Sequence, residues 1–126
     1  MPRYWTVEEA RAALPDVIAL LQRLREALAR QAAIGSEAVL APGARTSVNG
    51  HGASRPDDPA HEAARLLEQI TAMGVQVKDV ATGLIDFPYL RQGEEVLLCY
   101  RLGEPELAYW HDLYSGFAGR RPLSEL

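Results

Sequence analysis

A chain of 126 residues, 48% hydrophobic and 24% charged, has the size and composition of one soluble globular domain that needs neither disulfide nor metal to fold. A net charge of −4 and a pI near 5.3 argue against a nucleic-acid binder, and the single cysteine, Cys99, excludes an internal disulfide and every multi-cysteine zinc motif. No apolar run approaches the about 20 residues of a membrane span, and the opening Met1–Trp5 lacks a signal-peptide pattern, so the expected compartment is the cytoplasm.

The chain divides into two vocabularies. Of nine aromatic residues, seven lie between Phe87 and Phe117, and none between residues 6 and 86. The first half is rich in Ala, Leu, Arg and Glu, which favour helix; the second is rich in Val, Tyr, Trp and Phe, which favour strand. Thr6-Val7-Glu8-Glu9 has the form of a capping box. From it, Val7, Ala10, Leu14, Val17, Leu21, Leu24 and Leu28 follow at alternating spacings of 3 and 4, which predicts a helix over 7–33. Pro15 does not shift the phase of this seam, so the helix is expected to kink and continue.

Residues 35–59 hold ten Gly, Pro or Ser and read as a loop, with 36–56 expected to be mobile and dispensable for folding; His51 falls there without a role. Asp58-Pro59 then starts a second helix, with Ala60, Ala63, Leu67 and Ile70 along one stripe and Gly74 after its end. The two helices form an antiparallel hairpin. The first is much the longer, which leaves Leu20, Leu21, Leu24 and Leu28 for a further partner, either the sheet or a second copy of the chain. The sequence therefore predicts a homodimer through the first helix.

Strands follow from residue 74. Val75 to Val80 pairs with Leu84 to Phe87 around Ala81-Thr82-Gly83, and Pro88 is expected to stop the return strand. With Val80 opposite Leu84, Lys78 faces Asp86. Arg91-Gln92-Gly93 is a turn, Glu95–Leu102 a third strand and Leu107–Asp112 a fourth. A four-residue loop, Gly103–Glu106, would pair Leu102 with Leu107. That register puts Val96, Leu98, Tyr100, Leu102, Leu107, Tyr109 and His111 on the core face. It puts Leu97, Cys99, Arg101, Ala108, Trp110 and Asp112 on the other. The end, Gly116 to Pro122, reads as a glycine-punctuated basic tail over the sheet edge.

Gly74-Val75-Gln76-Val77-Lys78-Asp79, Gly83-Leu84-Ile85-Asp86-Phe87-Pro88, Leu98-Cys99-Tyr100-Arg101-Leu102-Gly103-Glu104, Trp110-His111-Asp112 and Gly116-Phe117-Ala118-Gly119-Arg120 resemble domain-of-unknown-function family 2203. The opening Trp5–Ala10 is similar too. The resemblance spans all but residues 35–59. It implies a small stand-alone bacterial protein and brings no activity, substrate or catalytic residue with it.

No His-x-x-x-His or Cys-x-x-Cys occurs, so no metal or other cofactor is expected. A Cys99–His111 nucleophile pair is opposed by the preferred register, although a loop one residue shorter would set the two side by side. Twelve arginines and one lysine make Lys78 a singular compact cation. The better candidate is the polar sheet face, where Lys78, Asp86, Arg101 and Asp112 surround Trp110, with Arg120 near the edge. Opposite charges around an aromatic ring suit a zwitterionic or anionic small molecule. The bland alternative is a solvated face with cross-strand ion pairs.

The fold predicted is α+β: one domain, 1–126, in which a long antiparallel helical hairpin packs on a four-stranded antiparallel β-meander. The function read from it is a non-enzymatic binding or assembly module. The alternative is a small-ligand-binding protein or enzyme using the polar face around Trp110.

Overall fold

The computed structural model describes residues 3–40 and 58–126. It has two helices, α1 (Val7–Leu40) and α2 (Pro59–Ala72), and five strands: β1 (Gln76–Asp79), β2 (Leu84–Arg91), β3 (Glu94–Arg101), β4 (Tyr109–His111) and β5 (Arg121–Pro122). The strands form one antiparallel sheet in the order β1-β2-β3-β4-β5.

The capping box forms as its residues require. Glu9 N–H donates to Thr6 Oγ1 at 3.0 Å, and Thr6 N–H donates to Glu9 Oε1 at 2.9 Å. Helix α1 runs through Pro15 and ends at Leu40, seven residues later than the seam predicts. The loop expected over 35–59 thus loses its first residues to α1, and 41–57 with His51 lie outside the described residues. Asp58 caps α2 by accepting the Ala60 amide at 3.0 Å, with Pro59 in the first turn. Arg30 of α1 pairs with Glu62 at the start of α2, while Trp5 donates to the Gly74 carbonyl beyond its end at 3.1 Å. The two helices are therefore antiparallel.

Leu21 and Leu24 are buried within the chain, at 0% and 2% exposure, in one core with Leu66, Ile70, Ile85, Phe87 and Leu98. Of the two covers open to them, the chain's own core and not a second copy takes both. Only Leu28 of the seam's end remains exposed among the leucines predicted there, since Leu20 is half-buried.

The sheet departs from the predicted meander in three ways. First, β2 does not stop at Pro88 but continues to Arg91, paired with β3 throughout. In an extended strand a residue's N–H and C=O point to the same side. The Pro88 carbonyl accepts the Trp5 amide at 2.7 Å, on the side away from β3, so the missing Pro88 donor lies on that side as well and β3 loses nothing. Gln92 and Gly93, at φ 52° and 84°, make the two-residue turn into β3. Second, the expected basic tail returns as a fifth strand along β4. Third, two registers shift. Asp86 faces Gln76, not Lys78, and Lys78 is the extra residue of a bulge between Val77 and Asp79. In the other, Leu97 faces His111 and Leu98 faces Trp110, one residue from the predicted pairing.

That last slip has a local cause. The turn closes early, with the Glu104 amide on the Arg101 carbonyl at 3.0 Å and Gly103 at φ 107°. Tyr100 Oη also donates to the Glu104 carbonyl at 2.9 Å. The strand therefore ends at Arg101, before Leu102 can pair.

Candidate functional site

Strand alternation gives the sheet two faces. Val75, Ile85, Phe87, Val96, Leu98, Tyr100 and Trp110 join the helices in the apolar core. Asp86, Leu97, Cys99 and His111 take the opposite, outer face and are buried there too. What buries them is the segment after β4. The Asp112 carboxylate accepts the amides of Tyr114 and Ser115 at 2.8 and 2.7 Å and starts a turn. Gly116, at φ 60°, leads into a short 3-10 turn, Phe117–Gly119, before β5. Leu113, Tyr114, Gly116 and Phe117 then wall a cavity of about 190 Å³, whose floor and other wall are Lys78, Leu84, Asp86, Leu97 and His111.

Under this cavity lies a compact polar cluster. His111 Nε2 stands 3.1 Å from Asp86 Oδ1, with side chains only 4% and 1% exposed. Cys99 is opposite Asp86 across β2 and β3, and ligand atoms of all three residues lie within 4.8 Å of one another. On its other side the imidazole meets the Asp112 carbonyl, 2.6 Å from Nδ1. Burial and the neighbouring Asp86 carboxylate push the Cys99 thiol up to about 12 from an ordinary 9.0, with Arg120 opposing.

Of the six predicted site residues, Lys78 and Asp86 line the cavity, though not as a pair. Asp86 is partnered by His111, and Lys78 is exposed with no ion pair among the described residues. Arg120 holds the rim: its guanidinium donates to both Glu104 carboxylate oxygens, at 2.9 and 2.7 Å, and lies 4.0 Å over the Tyr109 ring and 4.5 Å over Phe117. Arg101 lies over the other part of that rim, 5.0 Å from the Phe117 ring centre. Asp112 is a turn cap at the surface, where the Ser115 and Tyr114 amides hold its carboxyl below the usual range. Trp110 is the correction. The one-residue slip turns it to the core face, 4% exposed, between the guanidiniums of Arg91 and Arg121 at 5.0 and 5.4 Å.

The same slip brings Cys99 and His111 together on the outer face, where the preferred register separated them. The shorter loop does not form: β3 ends at Arg101 and β4 begins at Tyr109, so the register slips the opposite way, with Cys99 facing Tyr109 and His111 facing Leu97. Tyr109, expected in the core, is 38% exposed and serves as the platform for Arg120.

Fold and site together define an α+β protein with, among the described residues, two α-helices and a five-stranded antiparallel sheet, and a buried Asp–Cys–His cluster on the face away from the helices. The family described as "Uncharacterized conserved protein (DUF2203)" matches residues 3–123, and the chain belongs to it. No curated protein and no solved structure matches the chain. Among the described residues, no helix is long and apolar enough to cross a membrane.

Proposed function

We propose that the protein is a binding module whose outer-face cavity takes a small carboxylate with an apolar body. The observation that carries this is Lys78. The bulge in β1 sets the chain's single lysine at a cavity otherwise walled by Leu84, Leu97, Leu113, Tyr114 and Phe117. Asp86 beneath is already partnered by His111, so Lys78 is the side chain at the mouth with an ammonium to offer. An anionic head on Lys78 and an apolar body against the leucines and rings answer both features. A cavity of about 150 Å³ is enough for benzene, so about 190 Å³ accommodates a body of that size. A cytoplasmic setting belongs to the same proposal, since a reducing compartment keeps Cys99 a free thiol.

The test is an NMR titration with benzoate against benzyl alcohol. Benzoate should shift the Lys78, Leu113 and Phe117 resonances saturably. Benzyl alcohol, or benzoate added to Lys78→Ala, should do so at least tenfold more weakly. Equal binding of the acid and the alcohol sinks the carboxylate reading.

Assembly stands as a second reading, on a different observation. Leu28 is 36% exposed and, with Arg25, Ala29, Val80 and Ala81, borders an apolar hollow of about 340 Å³. A second copy of the chain packing there is what remains of the dimer expected through the first helix.

A further inference from the structure

The buried cluster has a proton problem. A peptide carbonyl only accepts, so the 2.6 Å contact of His111 Nδ1 with the Asp112 carbonyl places a hydrogen on Nδ1. In a neutral imidazole the other nitrogen, Nε2, is then a bare lone pair. It faces Asp86 Oδ1, a carboxylate acceptor, at 3.1 Å. Two lone pairs do not approach to this distance in a buried site unless a positive centre stands between them. That centre is either a proton held between them, on Nε2 or on Oδ1, or a metal ion. The third group decides between them. A lone proton on the pair satisfies His111 and Asp86 and asks of Cys99 only a thiol hydrogen bond to Asp86. Yet the Cys99 Sγ sits within 4.8 Å of both, fully buried, on the strand that faces Asp86.

We infer that Asp86, Cys99 and His111 bind one divalent transition-metal ion, of the zinc class, through Oδ, Sγ and Nε2. A tetrahedral ion about 2.0–2.3 Å from each ligand atom holds them about 3.3–3.7 Å apart, so closure moves the most distant atoms by only about 1 Å. The Nδ1 hydrogen bond to the Asp112 carbonyl is the support that metal-bound histidines use to fix the tautomer and aim Nε2. Binding displaces the thiol proton to solvent, and the thiolate, the carboxylate and the dication sum to zero charge in the buried site. The mixed nitrogen, sulfur and oxygen set suits zinc, cobalt or iron(II) and not calcium or magnesium, which take oxygen alone. Three protein ligands leave a fourth position, and it opens toward the cavity beside Lys78. The metal inference rests on the carboxylate reading for this fourth position only; the three protein ligands stand without it.

The experiment is a cobalt(II) titration of the full chain after chelator treatment. The expected result is one ion per chain, with a near-ultraviolet thiolate-to-cobalt charge-transfer band and the visible bands of tetrahedral cobalt, both lost on adding zinc. Cys99→Ser should abolish the charge-transfer band. His111→Ala, if it folds, should weaken cobalt by more than the about 10–100-fold that loss of a supporting partner costs. Asp86→Asn guards against misfolding: its amide can donate to the Nε2 lone pair, so it should give a native circular dichroism spectrum yet lose cobalt by a similar factor. No charge-transfer band in the wild-type chain, or an unchanged one in folded Asp86→Asn, overturns the inference and leaves a proton between His111 and Asp86. Benzoate separates the two readings. Binding to metal-free protein with no cobalt uptake retains the cavity and removes the metal. Cobalt uptake with a spectrum and affinity indifferent to benzoate retains the metal and removes the carboxylate.

Discussion

The two faces of the sheet are both buried, but by different means. On the inner face, Ile85, Phe87 and Leu98 are covered by two helices and contribute through area and packing. On the outer face, Asp86, Cys99 and His111 are covered by a single irregular segment after β4, and their burial is tolerable only because each polar group meets another. The inner face is built to exclude water, whereas the outer face places a carboxyl, an imidazole and a thiol under a small cavity. Stability is therefore expected to respond to volume on one side and to charge on the other.

The largest effects test that contrast directly. Phe87→Ala should cost about 3–5 kcal/mol in urea unfolding, because it opens a hole beneath the Trp5 ring, which meets Phe87 edge-on at 5.1 Å. His111→Ala in metal-free protein should cost a similar about 3–5 kcal/mol for another reason, leaving the Asp86 carboxylate buried without its partner. The causes separate in a second pair of variants. Asp86→Leu combined with His111→Leu should recover most of the loss, since apolar replacement of a whole buried pair is often neutral. Asp86→Asn alone should cost about 1 kcal/mol. If the double leucine variant is no more stable than His111→Ala, the outer face does not behave as a charge site.

A smaller effect concerns Cys99. Its thiol is fully buried and its ionisation is pushed up to about 12. Iodoacetamide at pH 8 should label the folded, metal-free chain far more slowly than the same chain in urea, followed by intact mass. Equal rates would place the thiol at the surface and remove it from the cluster.

Lys78→Arg should leave the melting temperature nearly unchanged, because Lys78 is exposed, and should weaken benzoate binding if a compact ammonium is needed at the bulge. Retained affinity would mean that any cation serves there. The smallest expected effect on the fold is at the helix surface. Light scattering should give twice the 13.9 kDa chain mass, and Leu28→Glu should halve it without unfolding the protein. A mass near 14 kDa for the wild type removes the assembly reading.

Much of the architecture was legible because it rests on local rules. Thr6 and Glu9, Asp58 and Pro59, and Gln92-Gly93 announce their caps and turn through chemistry that acts within a few residues. Pro88 misled for a tertiary reason: whether a proline ends a strand depends on what lies at its flank, and here that is the backbone of Trp5. Leu21 and Leu24 misled similarly, since a seam of leucines does not state whether its partner is the same chain or another.

The site was half legible. Lys78 and Asp86 were chosen for charge on a strand face, and both line the cavity. The preferred register of the sequence sets Cys99 and His111 apart and puts Trp110 at the centre. One residue of register in the turn after Arg101 exchanges the faces of Trp110 and His111 and so brings His111 to Cys99, because side chains alternate faces along a strand.

By itself, then, the sequence determined the α+β class, the two helices with their starts, the order of the first four strands and the residue types available for chemistry. These follow from periodicity and from capping and turn residues, whose forces act at short range. Only the tertiary structure decided which of those residues meet. The Gly103 turn sets the β3–β4 register, and the Asp112 turn folds the following segment over the outer face. Asp86, Cys99 and His111, 13 and 12 residues apart along the chain, become neighbours only when both have formed.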